Sequence, residues 1–227
     1  MGSLTLNKID RLFWMGRYAE RVNTTLGFMM DYFDQLIDGR PMPHEEFCRR
    51  MALPDIYASD EEFLRDYALD AKNEDSLWVA ADRMLGNGMT LRETISSATL
   101  SYLQLAVNAL TAARTSSSPM LEFQTAIDSI MAFRGSFDDN IDDMSVRNLV
   151  KAGFTVERLS LFLRLGYPDG ACIKEICKLV ARVPDTPAVT RSGAYAALLV
   201  AAQLGDQGSL PIDRSPLISA AEELFDI

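Results

Sequence analysis

Residues 11–25 read RLFWMGRYAERVNTT, and a weakened copy of their centre, GRYAER at residues 16–21, returns as GFTVER at residues 153–158. The first stretch is apolar at helical spacing. Leu12, Met15, Ala19, Val22, Leu26, Met29, Met30 and Phe33 make one stripe, with Trp14, Tyr18, Thr25, Phe28 and Tyr32 beside it. Two adjoining apolar stripes leave little of this helix for water. Gly16 and Glu20 are four apart and share a side, and Arg17 stands three before Glu20. A glycine inside a helix lowers its stability by about 1 kcal/mol relative to alanine, so its use here predicts close approach by a second backbone or by the head of a long side chain. Glu20 and Arg21 are then partly buried charges.

The second copy extends this reading. Gly16 corresponds to Gly153, Glu20 to Glu157 and Arg21 to Arg158, all at one offset of 137 (153 − 16), and Leu12, Val22 and Leu26 fall on Leu149, Leu159 and Leu163. The pattern reads as an internal pseudo-repeat of two Glu-Arg-bearing core helices. A carboxylate in a low-dielectric interior requires a partner, and facing helices would supply crossed ones, Glu20 with Arg158 and Glu157 with Arg21. Three roles stand open for such pairs: fixing helix register, holding a ligand or partner, and proton transfer.

Outward from these two helices the whole chain reads as all-α, with helical periodicity almost throughout and no convincing alternation of period two. The first helix is expected from Ile9 to about Ile37, capped by Asn7 and ended by DGRPMP. Ser59 and Glu62 form a capping box in SDEE. A long segment from about Ser76 to Arg114 is expected to kink at GNG, residues 86–88, and Pro119 suits the first turn of the next helix. A further helix follows Asp143 and ends near Gly166, and two or three shorter ones complete the chain. The expected organisation is a single helical domain over residues 1–227.

Composition narrows the function classes. Hydrophobic residues make up 48% of the 227, which excludes a disordered polyelectrolyte. A formal charge of −10 argues against nucleic acid or an anionic lipid surface as partner, because both require a basic field. No apolar run approaches the roughly 20 residues of a membrane span, and MGSLTLNKIDRL lacks the layout of a signal peptide, so the expected setting is cytoplasmic. Cys48, Cys172 and Cys177 are too few and too odd in number for a disulfide framework. His44 is the only histidine, which excludes within one chain a His-containing triad, a His-rich zinc site and the paired Glu-x-x-His ligands of di-iron bundles. No metal and no cofactor is expected, and the catalytic residues, if there are any, are not assigned.

The stretch at residues 11–25 resembles the signature of the bacterial alpha-E family, helical domains of unknown function named for a Glu-Arg motif. Arg11, Leu12, Trp14, Gly16, Arg17, Tyr18, Glu20, Arg21 and Thr25 all fit the pattern R-L-x-W-x-G-R-Y-x-E-R-x-x-x-T. A second block resembles NEDSL, with Asn73 and Ser76 retained and Arg92 and Glu93 at the expected distance, and a third resembles AGFTVER. The chain departs from the family at Leu85, Gly86 and Met89, where further Arg and Glu residues are usual, and at Phe154 and Thr155, which replace an Arg-Tyr pair. A reduced polar centre follows. The similar patches lie within residues 1–165, and residues 167–227 carry no matching motif.

The resemblance implies a neighbourhood more than a reaction. Proteins of this family are typically associated with or fused to a circularly permuted ATP-grasp protein, and often accompany transglutaminase-like proteins. That setting implies ATP-dependent amide-bond formation on a peptide, with the ATP chemistry in the partner, since this chain has no glycine-rich phosphate loop. The expectation is an accessory helical subunit that binds the ligase or its peptide substrate, with Arg17, Arg21, Arg92 and Arg158 as carboxylate contacts, because guanidinium forks match carboxylates. A homo-oligomer is compatible with the sequence. Two rivals are kept. One is a catalytically silent interaction module. The other is a magnesium-dependent diphosphate enzyme using Asp138, Asp139 and Asp142 of DDNIDD, a stretch that alternatively caps the following helix.

Overall fold

A computed structural model describes residues 4–40, 42–206 and 211–227. The protein is all-α, as its periodicity predicts: among the described residues there are eleven α-helices, a 3-10 turn at Val183–Asp185 and one isolated bridge, Thr190 with Phe225. The residues gather into two compact units, Met1–Glu20 with Asp143–Ile227, and Arg21–Asp142. Helix α1, Leu6–Ile37, gives its first half to one unit and its second half to the other.

In the first unit, α1 is followed after residue 143 by α8 (Met144–Leu165), α9 (Asp169–Arg182), α10 (Ser192–Asp206) and α11 (Arg214–Glu222). Asp143 caps α8 by accepting from the backbone N–H of Ser145 at 2.9 Å and of Val146 at 3.2 Å, satisfying donors that have no partner within the helix. Gly166, at φ +79°, closes α8 in the left-handed conformation that glycine adopts at no steric cost. Between these caps α8 is buried nearly all round, Leu149 to Leu165, because α1, α9 and α11 all pack against it.

The start of α1 differs from the expectation. The helix begins at Leu6, one turn earlier than Ile9. Thr5, in place of Asn7, accepts from the Lys8 amide at 3.4 Å, while Asn7 lies inside the helix and accepts from Arg11 Nε at 2.8 Å. Either polar residue has the chemistry of a cap, and the earlier one holds the position.

The second unit contains the rest of α1 with α2 (His44–Met51), α3 (Asp60–Leu69), α4 (Leu77–Thr90), α5 (Arg92–Ile95), α6 (Ser97–Ala113) and α7 (Pro119–Asn140). Helices α6 and α7 form an antiparallel pair, with Thr99 at the start of one bonded to Ser136 near the end of the other at 2.8 Å. Phe123, Ile130, Phe133 and Phe137 fill its core with Leu103, Ala106 and Leu110. Ser59 caps α3 and Ser76 caps α4, each accepting an amide at 3.2 Å, and Pro119 sits in the first turn of α7. The GNG stretch at residues 86–88, expected to interrupt and kink the segment, lies within a continuous helix: α4 runs through it to Thr90, and Leu91 and Ser96, the latter at φ +67°, flank the short α5. A Cβ on Gly88 would lie 2.7 Å from Leu103 Cδ1 and 3.0 Å from Leu100 Cδ1, so this glycine admits α6 against α4 and leaves the helix unbroken.

Candidate functional site

The residues singled out at 16–21 and 153–158 meet where α1 and α8 touch backbone to backbone. A Cβ on Gly16 would stand 2.3 Å from the Val150 carbonyl oxygen, and a Cβ on Gly153 would stand 2.3 Å from the Phe13 carbonyl oxygen. Phe13 and Val150 are themselves 137 apart, so each glycine receives the equivalent carbonyl of the other helix. Real side-chain carbons do not sit at such distances from a backbone oxygen, and only glycine allows this approach.

One turn further along, the motif charges pair across the same contact. Arg158 donates from Nε to Glu20 Oε1 at 2.6 Å and from Nη2 to Oε2 at 2.9 Å, a bidentate fork onto a carboxylate with no exposed surface. Burial alone would lower the pKa of Arg158, but the charge and hydrogen bonds of Glu20, with the charge of Glu175, raise it above the ordinary value. The crossed expectation for Glu20 and Arg158 thus matches the geometry. Glu157 accepts from Arg17, whose Nε lies 2.7 Å from Glu157 Oε2. The Arg17 guanidinium also lies 4.7 Å from the centre of the Trp14 ring, and Trp14 packs on Tyr18 at 5.4 Å, so the aromatic residues of the motif flank its cation.

Residues beyond the third sequence block complete this neighbourhood, and no sequence signal marked them. Glu175 of α9, itself buried, lies 4.0 Å from Arg158 and accepts from Lys178 Nζ at 2.6 Å. Thr155, in one of the positions that depart from the motif, accepts from Arg182 at 3.0 Å. Ser160 donates to Glu222 of α11 at 2.6 Å, and Arg164 reaches the same carboxylate at 2.9 Å.

The other residues expected at the site belong to the second unit. Asn73 donates to the Tyr57 hydroxyl at 3.0 Å, and Ser76 is the cap of α4. Arg92 and Glu93 are exposed on α5 and have no ion-pair partner among the described residues. Arg21 lies in the same unit, half-buried on α1. In the acidic run, Asp138 and Asp139 are in the last turn of α7 and Asp143 is the α8 cap. Among the described residues one group, His44, Glu45 and Asp60, brings ligand-type atoms within 4.8 Å of one another. His44 Nδ1 and Asp60 Oδ1, 2.8 Å apart, are already hydrogen-bonded to each other, and we assign no metal to them.

Fold and centre together define a class of protein: an all-α chain whose two core helices are seated glycine against glycine and locked by buried Glu-Arg pairs. The sequence model of Alpha-E, described as a predicted alpha-helical domain with a conserved ER motif, matches residues 7–167, and the chain belongs to that family. Comparison with curated proteins and with solved structures returned no match. No helix among the described residues is long and apolar enough to cross a membrane.

Proposed function

We propose that this protein is a helical accessory subunit of an ATP-grasp-type amide ligase system, acting in peptide synthesis or modification, and that it binds the ligase or the ligase's peptide substrate without performing the ATP chemistry itself. The observation that carries the accessory reading is the internal use of the motif charges. Arg17 and Arg158 already face Glu157 and Glu20 at hydrogen-bond distance inside the fold. Buried charges paired in this way fix which helix faces meet, and removing one partner is far more costly than the pair is stabilising. The Glu-Arg centre is therefore architecture that holds the first unit, and recognition falls to exposed groups. Arg92 is such a group, an exposed guanidinium on α5 suited to a carboxylate of a peptide or of the ligase surface. The association with a circularly permuted ATP-grasp protein, and with a transglutaminase-like protein, rests on the family resemblance. A cytoplasmic setting is supported by the buried thiols of Cys48 and Cys172.

The test is co-purification with a circularly permuted ATP-grasp protein from the same source, followed by ATP consumption with and without the helical subunit. The reading expects a complex, subunit-dependent turnover, and weakened binding in Arg92→Gln with the fold intact. No complex, or turnover indifferent to the subunit, leaves the catalytically silent module as the better account.

A further inference from the structure

The only histidine of the chain has an acceptor at each of its two ring nitrogens. His44 opens α2 and is buried, with 6% of its surface exposed. Its Nδ1 lies 2.8 Å from Asp60 Oδ1 and its Nε2 lies 3.2 Å from the Tyr57 carbonyl oxygen. Both ring nitrogens therefore face acceptors. A neutral imidazole carries one N–H and would point its other lone pair at an oxygen, whereas the imidazolium donates to both. Asp60 in turn is held by three donors on one oxygen: the His44 ring, the His44 backbone N–H at 3.0 Å and the Tyr32 hydroxyl at 2.7 Å. Asp60 is the first residue of α3 and Tyr32 belongs to α1, so one carboxylate joins three helices.

We propose that His44, Asp60 and Tyr32 form a proton-operated clasp, closed while His44 is an imidazolium and opened at the start of α2 when the ring loses its proton. The charges that face the ring are all of one sign. From α2 itself Glu45 Oε2 lies 3.6 Å from Nδ1, from the connection to α3 Asp55 Oδ1 lies 3.5 Å from Nε2, and from α3 comes Asp60. Among the described residues none of these three carboxylates has an Arg or Lys partner to compete for it. The uncharged faces of the ring meet Phe63, stacked at 6.1 Å, and Tyr57, edge-on at 6.4 Å. Burial alone would lower the pKa of His44, but the Asp60 hydrogen bond, the charges of Glu45 and Asp55 and the Tyr57 carbonyl raise it above its ordinary value. Burial alone would raise that of Asp60, and the hydrogen bonds from Tyr32 and His44 lower it below the usual carboxylate range. Tyr32 is pushed upward, by burial first and then by Asp60, so its hydroxyl keeps its proton and remains a donor.

The sign of the pH effect follows. A raised histidine contributes its stability in full below the unfolded value of about 6.5 and loses it as pH rises through the folded value. A lowered aspartate contributes above about 4 and loses its share as pH falls through its folded value. The clasp is closed between these limits and opens on the alkaline side first, freeing the α2 face that carries Phe47 and Cys48.

Because the chain has one histidine, its ring resonances report this site without assignment ambiguity. The experiment is an NMR titration of His44 in the full chain, with amide exchange followed in parallel and corrected for base catalysis. The expected midpoint lies above 6.5, with protection in α2 falling about tenfold across it while protection in α6 and α7 holds. Asp60→Asn should bring the midpoint down by about one pH unit and abolish the step in protection, and the exposed Glu45→Gln should lower it by less with the fold unchanged. A midpoint at or below 6.5, or α2 protection that does not change as His44 titrates, would overturn the proposal.

Discussion

Gly16 on α1 and Gly153 on α8 admit each other's helix in the same way, yet the charges that follow them are handled differently. The backbones approach through equivalent carbonyls, those of Val150 and Phe13, at the same 2.3 Å from where a Cβ would be. Glu20 is then gripped by a bidentate arginine of the facing helix, Arg158, while Glu157 accepts from Arg17 at 2.7 Å. The residue 137 positions after Arg17 is Phe154, which has no charge to offer Glu20. The close approach needs only the two glycines, whereas the carboxylates are held by guanidinium groups in reach on the opposite helix.

The glycines offer the largest break in this comparison. Gly16→Ala and Gly153→Ala each drive a carbon into a backbone oxygen that cannot rotate away, and each should destabilise by about 3 kcal/mol or more in denaturant unfolding. Gly27, on the same α1 with nothing within 4 Å of its missing Cβ, is the control, and Gly27→Ala should stabilise by about 0.5–1 kcal/mol. Next comes Glu20→Gln, which leaves Arg158 partly buried beside only Glu175 and should cost about 2–3 kcal/mol, discounted because the Arg158 side chain keeps 24% of its surface in water. Arg17→Lys should cost less, about 1 kcal/mol, since lysine loses the planar contact with Trp14 but keeps a charge for Glu157. A loss for Arg17→Lys as large as that for Glu20→Gln would mean that the two pairs are not as unequal as their geometry.

Much of the framework is written locally and was legible without the structure. Helix α1 announces itself by its stripes, and Ser59, Ser76, Asp143, Pro119 and Gly166 are terminators whose chemistry works within one turn. What escaped sequence reading depends on what lies across a contact. Gly88 looks like a helix breaker in sequence and is a packing seat for Leu103 in the fold. Thr5 and Asn7 are equal as caps until the preceding backbone chooses. Glu175 and Glu222 come from helices after the family signature, and His44 finds Asp60 sixteen residues away across a connection with no periodic signal. The pairing of Glu20 with Arg158 was therefore readable from spacing, and the contact of Arg17 with Glu157 only from the geometry.

Whether the motif charges clasp α1 to α8 instead of waiting for an external ligand is decided by a double-mutant cycle on Glu20→Gln and Arg158→Gln, read by denaturant unfolding. Each single change is expected to destabilise, and the double variant to recover about 1–2 kcal/mol relative to their sum, because the second change removes the charge the first left unpaired. Additive effects, or single variants as stable as the wild type, would contradict it.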